Sequence, residues 1–137
     1  MWKPIVFAIL IAGVGPTAAL SHEAKDPATL QKPDIQDLLT AVLEGAEGLE
    51  VIVSHVALPP NLILPMHWHP GEEFAYVLQG SATLILDGEG EQEIAAGDAA
   101  VVPLKRVHTA RSGSEGATIL VFRVHEAGQP GRVLAGE

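Results

Sequence analysis

Pro65-Met66-His67-Trp68-His69-Pro70-Gly71-Glu72-Glu73 is the stretch that decides how this chain reads. On a strand, residues i and i+2 point to one face. His67 and His69 therefore present two imidazoles to the same point. Glu73 has the matching parity, but a straight strand would carry it about 13 Å from His69, at ~3.3 Å per residue. Ligands of one ion sit much closer than that. The chain must bend, and Pro70-Gly71 is a turn pair able to bend it. His108, 108 − 73 = 35 residues further on, is the best candidate for a fourth ligand, and the interval leaves room for a hairpin. Three imidazoles and a carboxylate suit one divalent transition metal, whether Fe, Mn, Ni, Cu or Zn. They do not suit Ca²⁺ or Mg²⁺, which favour all-oxygen shells.

The surroundings read as short strands. Val51 to Ala57 is β-branched and apolar, and Pro59-Pro60 stops it. Phe74 to Leu78 is a second run, ended by Gly80, and Thr83 to Leu86 a third. Asp87-Gly88 signals a hairpin. Gly97-Asp98 turns the chain into Ala99 to Val102, and Thr118 to Val124 is the longest β-type run. The tail from Gly128 is rich in Gly and Pro and reads as packing or fraying. No helical segments separate these strands, so parallel βαβ units are disfavoured, and a sandwich or small barrel is expected. One stretch conflicts: Ile35, Leu38, Leu39, Val42 and Leu43 recur at helical spacing, with Asp34 as cap and Gly45 as stop. The spacing favours a helix over 35–43, although the same residues also read as an incoming strand.

The first residues carry an address. Lys3 precedes an uncharged run from Pro4 to Ser21 with its apolar centre at Ile5 to Val14, and small residues precede possible cuts after Ala19 or Ser21. This is the pattern of a secretory signal peptide. The apolar stretch is short for a bilayer of about 30 Å, so no stable membrane insertion is expected after cleavage. The expected organisation is a signal peptide over 1–21, a polar lead-in over 22–49 and a barrel over 50–137. The expected location is secreted or periplasmic.

Composition narrows the chemistry. A formal net charge of −9 argues against nucleic acid and anionic membranes as partners. The chain has no cysteine, which removes thiolate catalysis, Cys-based zinc knots and disulfides from consideration.

His67-Trp68-His69-Pro70-Gly71-Glu72-Glu73, followed after six residues by Gly80, resembles the first motif of the cupins. Gly97, Pro103 and His108 resemble the second. The two motifs and the hairpin between them cover residues 61–112. The chain departs from the pattern at Asn61 and Lys105, which stand where the motifs usually have Gly, and at Ser112, which replaces a closing Asn. The resemblance implies an all-β double-stranded β-helix, or jelly-roll barrel, with a metal inside its mouth. It also implies that the stretch before the first barrel strand is extended, and that a homodimer is a reasonable expectation.

A six-coordinate ion with four protein ligands keeps two positions for water, O₂ or a small-molecule substrate. The first functional reading is therefore an enzyme, an oxygenase, lyase or isomerase acting on a small oxygen-rich molecule. The second is a module that binds or senses a small ligand or a metal without chemistry. The third is a metal that only staples the barrel. An enzyme needs a proton-handling group, for which Tyr76 and His55 are the catalytic candidates, with Glu72 and Arg123 behind them. Val51, Val53, His55 and Ala57 share one strand face, which would aim His55 into the barrel. Trp68, between two ligands, faces away from the metal and reads as packing or a dimer contact. Lys105 and Arg106 are candidates for drawing an anionic substrate to the mouth.

Overall fold

The computed structural model describes residues 31–136. The signal-peptide expectation and the start of the lead-in fall outside the described residues. Among those residues there is no helix, and none long and apolar enough to cross a membrane. Eight strands form one curled antiparallel sheet: β1 (Asp34–Val42), β2 (Leu49–Leu58), β3 (His67–Trp68), β4 (Glu72–Leu86), β5 (Gly90–Ala95), β6 (Ala99–Val102), β7 (His108–Glu126) and β8 (Val133–Leu134).

The all-β expectation holds, and the helix expected over 35–43 does not form. β1 pairs with β2 from Asp34↔Ala57 to Val42↔Glu50, so the sheet begins inside the stretch read as a lead-in. A register shift between Asp37 and Leu39 inserts one extra residue. That bulge swaps the faces of the strand. It brings Ile35 and Asp37 to the cavity side and Leu39 opposite Val53 on the outside, which is how a strand acquires spacing that looks helical.

β4 and β7 organise the rest. The runs split at Gly80 in the sequence are one strand of 15 residues. It bends at register shifts on either side of Gly80 and keeps its pairing with β7 through the bend. Gly80 sits at φ +70°, and a Cβ there would lie 2.1 Å from the carbonyl oxygen of Gly116. The first half of β4 pairs with β6 and the second half with β5. The other edge of β7 takes β2. This curling turns one row of each strand inward, and Val56, Leu58, Val77, Leu84, Ile94, Val102, Ile119 and Val121 form the core.

Two of the departures from the motifs fall where the backbone is left-handed. Among the described residues, Asn61 and Lys105 are the non-glycine residues with positive φ, at 56° and 57°. Both hold the left-handed conformation that favours glycine. Ser112 replaces the amide of Asn with a hydroxyl that donates to Pro59 O and accepts from Leu62 N.

Candidate metal centre

His67 and His108 are direct cross-strand partners of β3 and β7. His69 follows two residues after His67 on the same face. The ring centroids lie 4.3 Å apart for His67–His108, 5.0 Å for His67–His69 and 5.1 Å for His69–His108. All three residues are buried. One ring nitrogen from each lies within 4.8 Å of the others, a group able to hold a metal ion.

Backbone carbonyls set the tautomers. Nδ1 of His67 donates to Pro65 O at 2.8 Å, Nδ1 of His69 to Gly131 O at 2.7 Å, and Nδ1 of His108 to Arg106 O at 2.9 Å. A carbonyl can only accept, so the proton is on Nδ1 in each neutral ring. The Nε2 lone pairs are then left for a shared cation, and the carbonyls orient the rings as metal-bound imidazoles are usually oriented.

The bend at Pro70-Gly71 brings Glu73 back beside His69. A Cβ on Gly71 would lie 1.8 Å from the carbonyl oxygen of Val124, so only glycine lets the turn lie this close to β7. Glu73 Oε2 comes within 2.7 Å of His69 Nε2. Within protein groups, that nitrogen has no hydrogen-bond partner. A carboxylate facing an imidazole lone pair at this distance is repulsive unless a proton or a metal ion lies between them. The donor set therefore fits a cation.

The titration of these groups follows from burial. Burial pushes His67 down to about 4, against an opposing hydrogen bond to Pro65. Burial lowers His108 as well. For Glu73 burial works upward, but the close approach of His69, with His108 and Arg123 nearby, outweighs it and holds the carboxyl below its ordinary value. Neutral imidazoles beside a charged carboxylate are the forms that bind metal.

Behind the centre lies a network of which the sequence marks Arg123 alone. Arg123, directly opposite Glu73 across β4 and β7, donates to Gly131 O at 3.0 Å and to Ser54 Oγ, and approaches Asp37 Oδ1 at 3.5 Å. Gly131 O thus serves both Arg123 and His69. The tail packs rather than frays: β8 pairs with β3, and Ala135 N donates to Met66 O. Asp37, Gly131 and Arg132 reach the site from the two ends of the described chain, where no motif spacing marks them.

A cavity of about 340 Å³ opens beside the imidazoles and is lined by His67, His69, Glu73, His108, Arg123 and the inner rows of the sheet. The two catalytic candidates do not reach it. His55 lies on the outer row of β2, because Ile52, Ser54, Val56 and Leu58 form the buried row. Tyr76 is 44% exposed and packs on the outer face with Phe74, Val101 and Phe122. Glu72 is exposed, and Trp68 lies outside the cavity lining. Lys105 and Arg106 are also outside the lining, and Arg106 pairs with Glu89. Of the secondary candidates only Arg123 lines the cavity.

The family profile described as the cupin domain matches residues 54–124, just over half of the 137 residues. This chain is a cupin. A curated relative, the dimethylsulfoniopropionate lyase DddQ of Ruegeria pomeroyi, is 32% identical over 57 residues, which are 42% of this chain and 28% of that protein. The crystal structure of the same lyase superposes with a TM-score of 0.57 at 23% identity, covering 75% of this chain and 51% of that one. A cupin-like protein of Thermotoga maritima gives a TM-score of 0.61 at 17% identity over 77% of each chain. A double-stranded β-helix protein of Klebsiella pneumoniae gives 0.57 at 25% identity, over 81% of this chain and 90% of that one. This cupin spans about half or less of the lyase it resembles.

Proposed function

We propose that this cupin is an exported enzyme that holds one divalent transition metal through His67, His69, Glu73 and His108 and acts on a small molecule in the adjoining cavity. The observation that carries the reading is the tautomer set: three carbonyl-anchored Nδ1–H groups leave three Nε2 lone pairs beside a buried carboxylate. A bound ion would supply Lewis acidity, or redox chemistry if it is Fe, Mn, Ni or Cu. Among oxygenase, lyase and isomerase, the likeness to a dimethylsulfoniopropionate lyase over 57 residues favours the lyase. Elimination needs a base, and the carboxylates lining the cavity are Glu73 and Asp37. With Glu73 on the metal, Asp37 is the proton-handling group.

Export is supported by the sequence pattern of residues 1–21, and a homodimer by an apolar row on the outer face of the sheet. A second reading, capture of a small ligand without chemistry, is favoured by one observation: Tyr76 and His55 point away from the cavity.

The test is metal analysis of the full chain exported from a bacterial host, beside His67→Ala and Glu73→Ala. One equivalent in the parent, lost in both variants, supports the centre, and metal unchanged in both variants overturns it. The loaded protein is then incubated with dimethylsulfoniopropionate and other small oxygenated acids, with products followed by mass spectrometry. Stoichiometric binding of one of these acids with no product formed would favour capture.

A further inference from the structure

The cavity has two unlike parts. Its polar side chains form one contiguous set. His67, His69 and His108 touch one another, Glu73 meets His69, and Gly131 O joins His69 to Arg123, which reaches Asp37. Arg132 follows Gly131 and lines the same side. The remaining lining side chains are aliphatic, among them Val56, Leu84, Ile94, Ile119 and Val121. These residues sit on strands paired along their lengths, whose backbone groups are engaged in the ladders. The basin therefore offers a ligand almost no hydrogen bonds.

Unmet polar demand is concentrated on the other side. Arg123 Nε and His69 Nε2 are two of the three buried polar side-chain atoms without a hydrogen-bond partner among the described residues. The charges there cancel, Arg123 and Arg132 against Asp37 and Glu73, so a divalent cation would leave an excess of positive charge facing the cavity.

We infer that the ligand of this cavity is a small amphipathic organic acid, with its carboxylate at the imidazole–arginine wall and an apolar body in the aliphatic basin, and is not a sugar or polyol. The placement of the carboxylate rests on the metal reading above; the apolar body does not. At ~30 Å³ for each water-sized unit, 340 Å³ holds a ligand of about ten non-hydrogen atoms. Each methylene moved from water into the basin strengthens binding about fourfold. Each hydroxyl lodged there without a partner weakens it at least about fivefold.

The experiment compares butanoate, hexanoate and gluconate on the full-length protein, zinc-loaded and metal-free. Binding is read from methyl and amide NMR shifts, and no turnover is needed. Hexanoate and gluconate share length and head group and differ in the hydroxyls. Hexanoate is expected to bind about fifteenfold tighter than butanoate, for two methylenes, and at least tenfold tighter than gluconate. Hexanoate no tighter than butanoate, or gluconate as tight as hexanoate in the metal-free protein, overturns the inference. The two readings fail separately. A chain-length gain in a protein that takes up no zinc discards the metal centre and keeps the apolar basin. Zinc bound at His67, His69, Glu73 and His108 without a chain-length gain does the reverse.

Discussion

The carbonyl oxygen of Gly131 accepts a hydrogen bond from Nδ1 of His69 at 2.7 Å, 62 residues back along the chain. The same oxygen accepts from Arg123 at 3.0 Å. One backbone atom in the tail therefore fixes both the tautomer of a candidate ligand and the arginine opposite Glu73. The ends of the described chain are part of the site: β8 braces His67 and Trp68, and Asp37 on β1 approaches Arg123.

Replacing Arg123 tests that brace. Arg123→Met keeps an unbranched apolar stem and removes the donors to Gly131 and Ser54. Metal affinity is expected to fall about 10- to 100-fold, the usual effect of losing a group that orients a ligand. Stability should drop by about 1–3 kcal/mol as Gly131 O and buried Ser54 Oγ, which still donates to Asp37, each lose a charged donor. Competition with a chelating dye measures the first effect and urea denaturation the second. Unchanged metal affinity would show that Gly131 holds His69 without help.

Gly71 carries the turn between His69 and Glu73. Its Cβ position lies 1.8 Å from Val124 O and 2.6 Å from the Cβ of His125. Neither neighbour is the free end of a flexible side chain, so Gly71→Ala must push the turn off β7. A loss of about 3 kcal/mol or more is expected, with weaker metal binding because Glu73 moves with the turn. Thermal unfolding and metal titration of this variant check both effects. A fully stable Gly71→Ala protein would mean that the turn relaxes easily.

The acid response of the metal-free protein follows from His67 and Glu73. Folding lowers the His67 pKa from 6.5 to about 4, so between these values the unfolded chain binds the extra proton. The stability that neutral His67 contributes is complete above about pH 6.5 and is lost as pH falls toward 4. Glu73, also lowered, adds a loss that begins below its ordinary 4.5. Urea midpoints of the metal-free protein should therefore decline steadily from pH 7 to pH 4. A midpoint that held constant or rose across that range would contradict the buried, neutral state of His67.

Much of the centre was legible in the sequence because its elements are local. Two imidazoles at i and i+2, and a Pro-Gly turn before a carboxylate, fix their own geometry, and His108 lies one hairpin away. Other features depend on which face of a strand is inside, and the residues of β2 are ambiguous on that point. Val51 and Val53 are apolar on the outer row, Ile52, Val56 and Leu58 on the inner one, so alternation gives a period but no direction. His55 was misplaced for this reason. Tyr76 was misplaced because the outer face of β4 is itself apolar. Asp37 and Gly131 were invisible because a bulge and a tail carry them into the site, and neither leaves a periodic signature.

The two left-handed loop residues give a prediction that leaves the centre untouched. Lys105 holds φ 57° in the loop before His108, and nothing in the cavity uses its side chain. Lys105→Gly relieves the cost of a Cβ in that conformation, about 1 kcal/mol, and should raise the unfolding midpoint with metal content unchanged. A lower midpoint would mean that the entropy of a more flexible unfolded loop outweighs the relief.

The outer face predicts an assembly. Val101, Phe74, Phe122, Val53 and Leu39 are consecutive cross-strand partners on β6, β4, β7, β2 and β1. Direct partners share a face, so they form one apolar row across five strands. Val101, Phe74, Phe122 and Leu39 are 52, 40, 38 and 53% exposed. Contiguous exposed apolar surface of this kind marks an interaction site. In a chain of net charge −9, an uncharged face is also where two copies approach with least repulsion. A homodimer through this row is therefore expected at micromolar concentration, and Phe122→Glu should convert it to a monomer by placing two like charges at the contact. Light scattering after size exclusion measures the mass of both proteins. Metal content should be the same in each, because Phe122 faces away from the cavity. A parent protein that is already monomeric, or a Phe122→Glu variant that stays dimeric, would rule this face out as the contact.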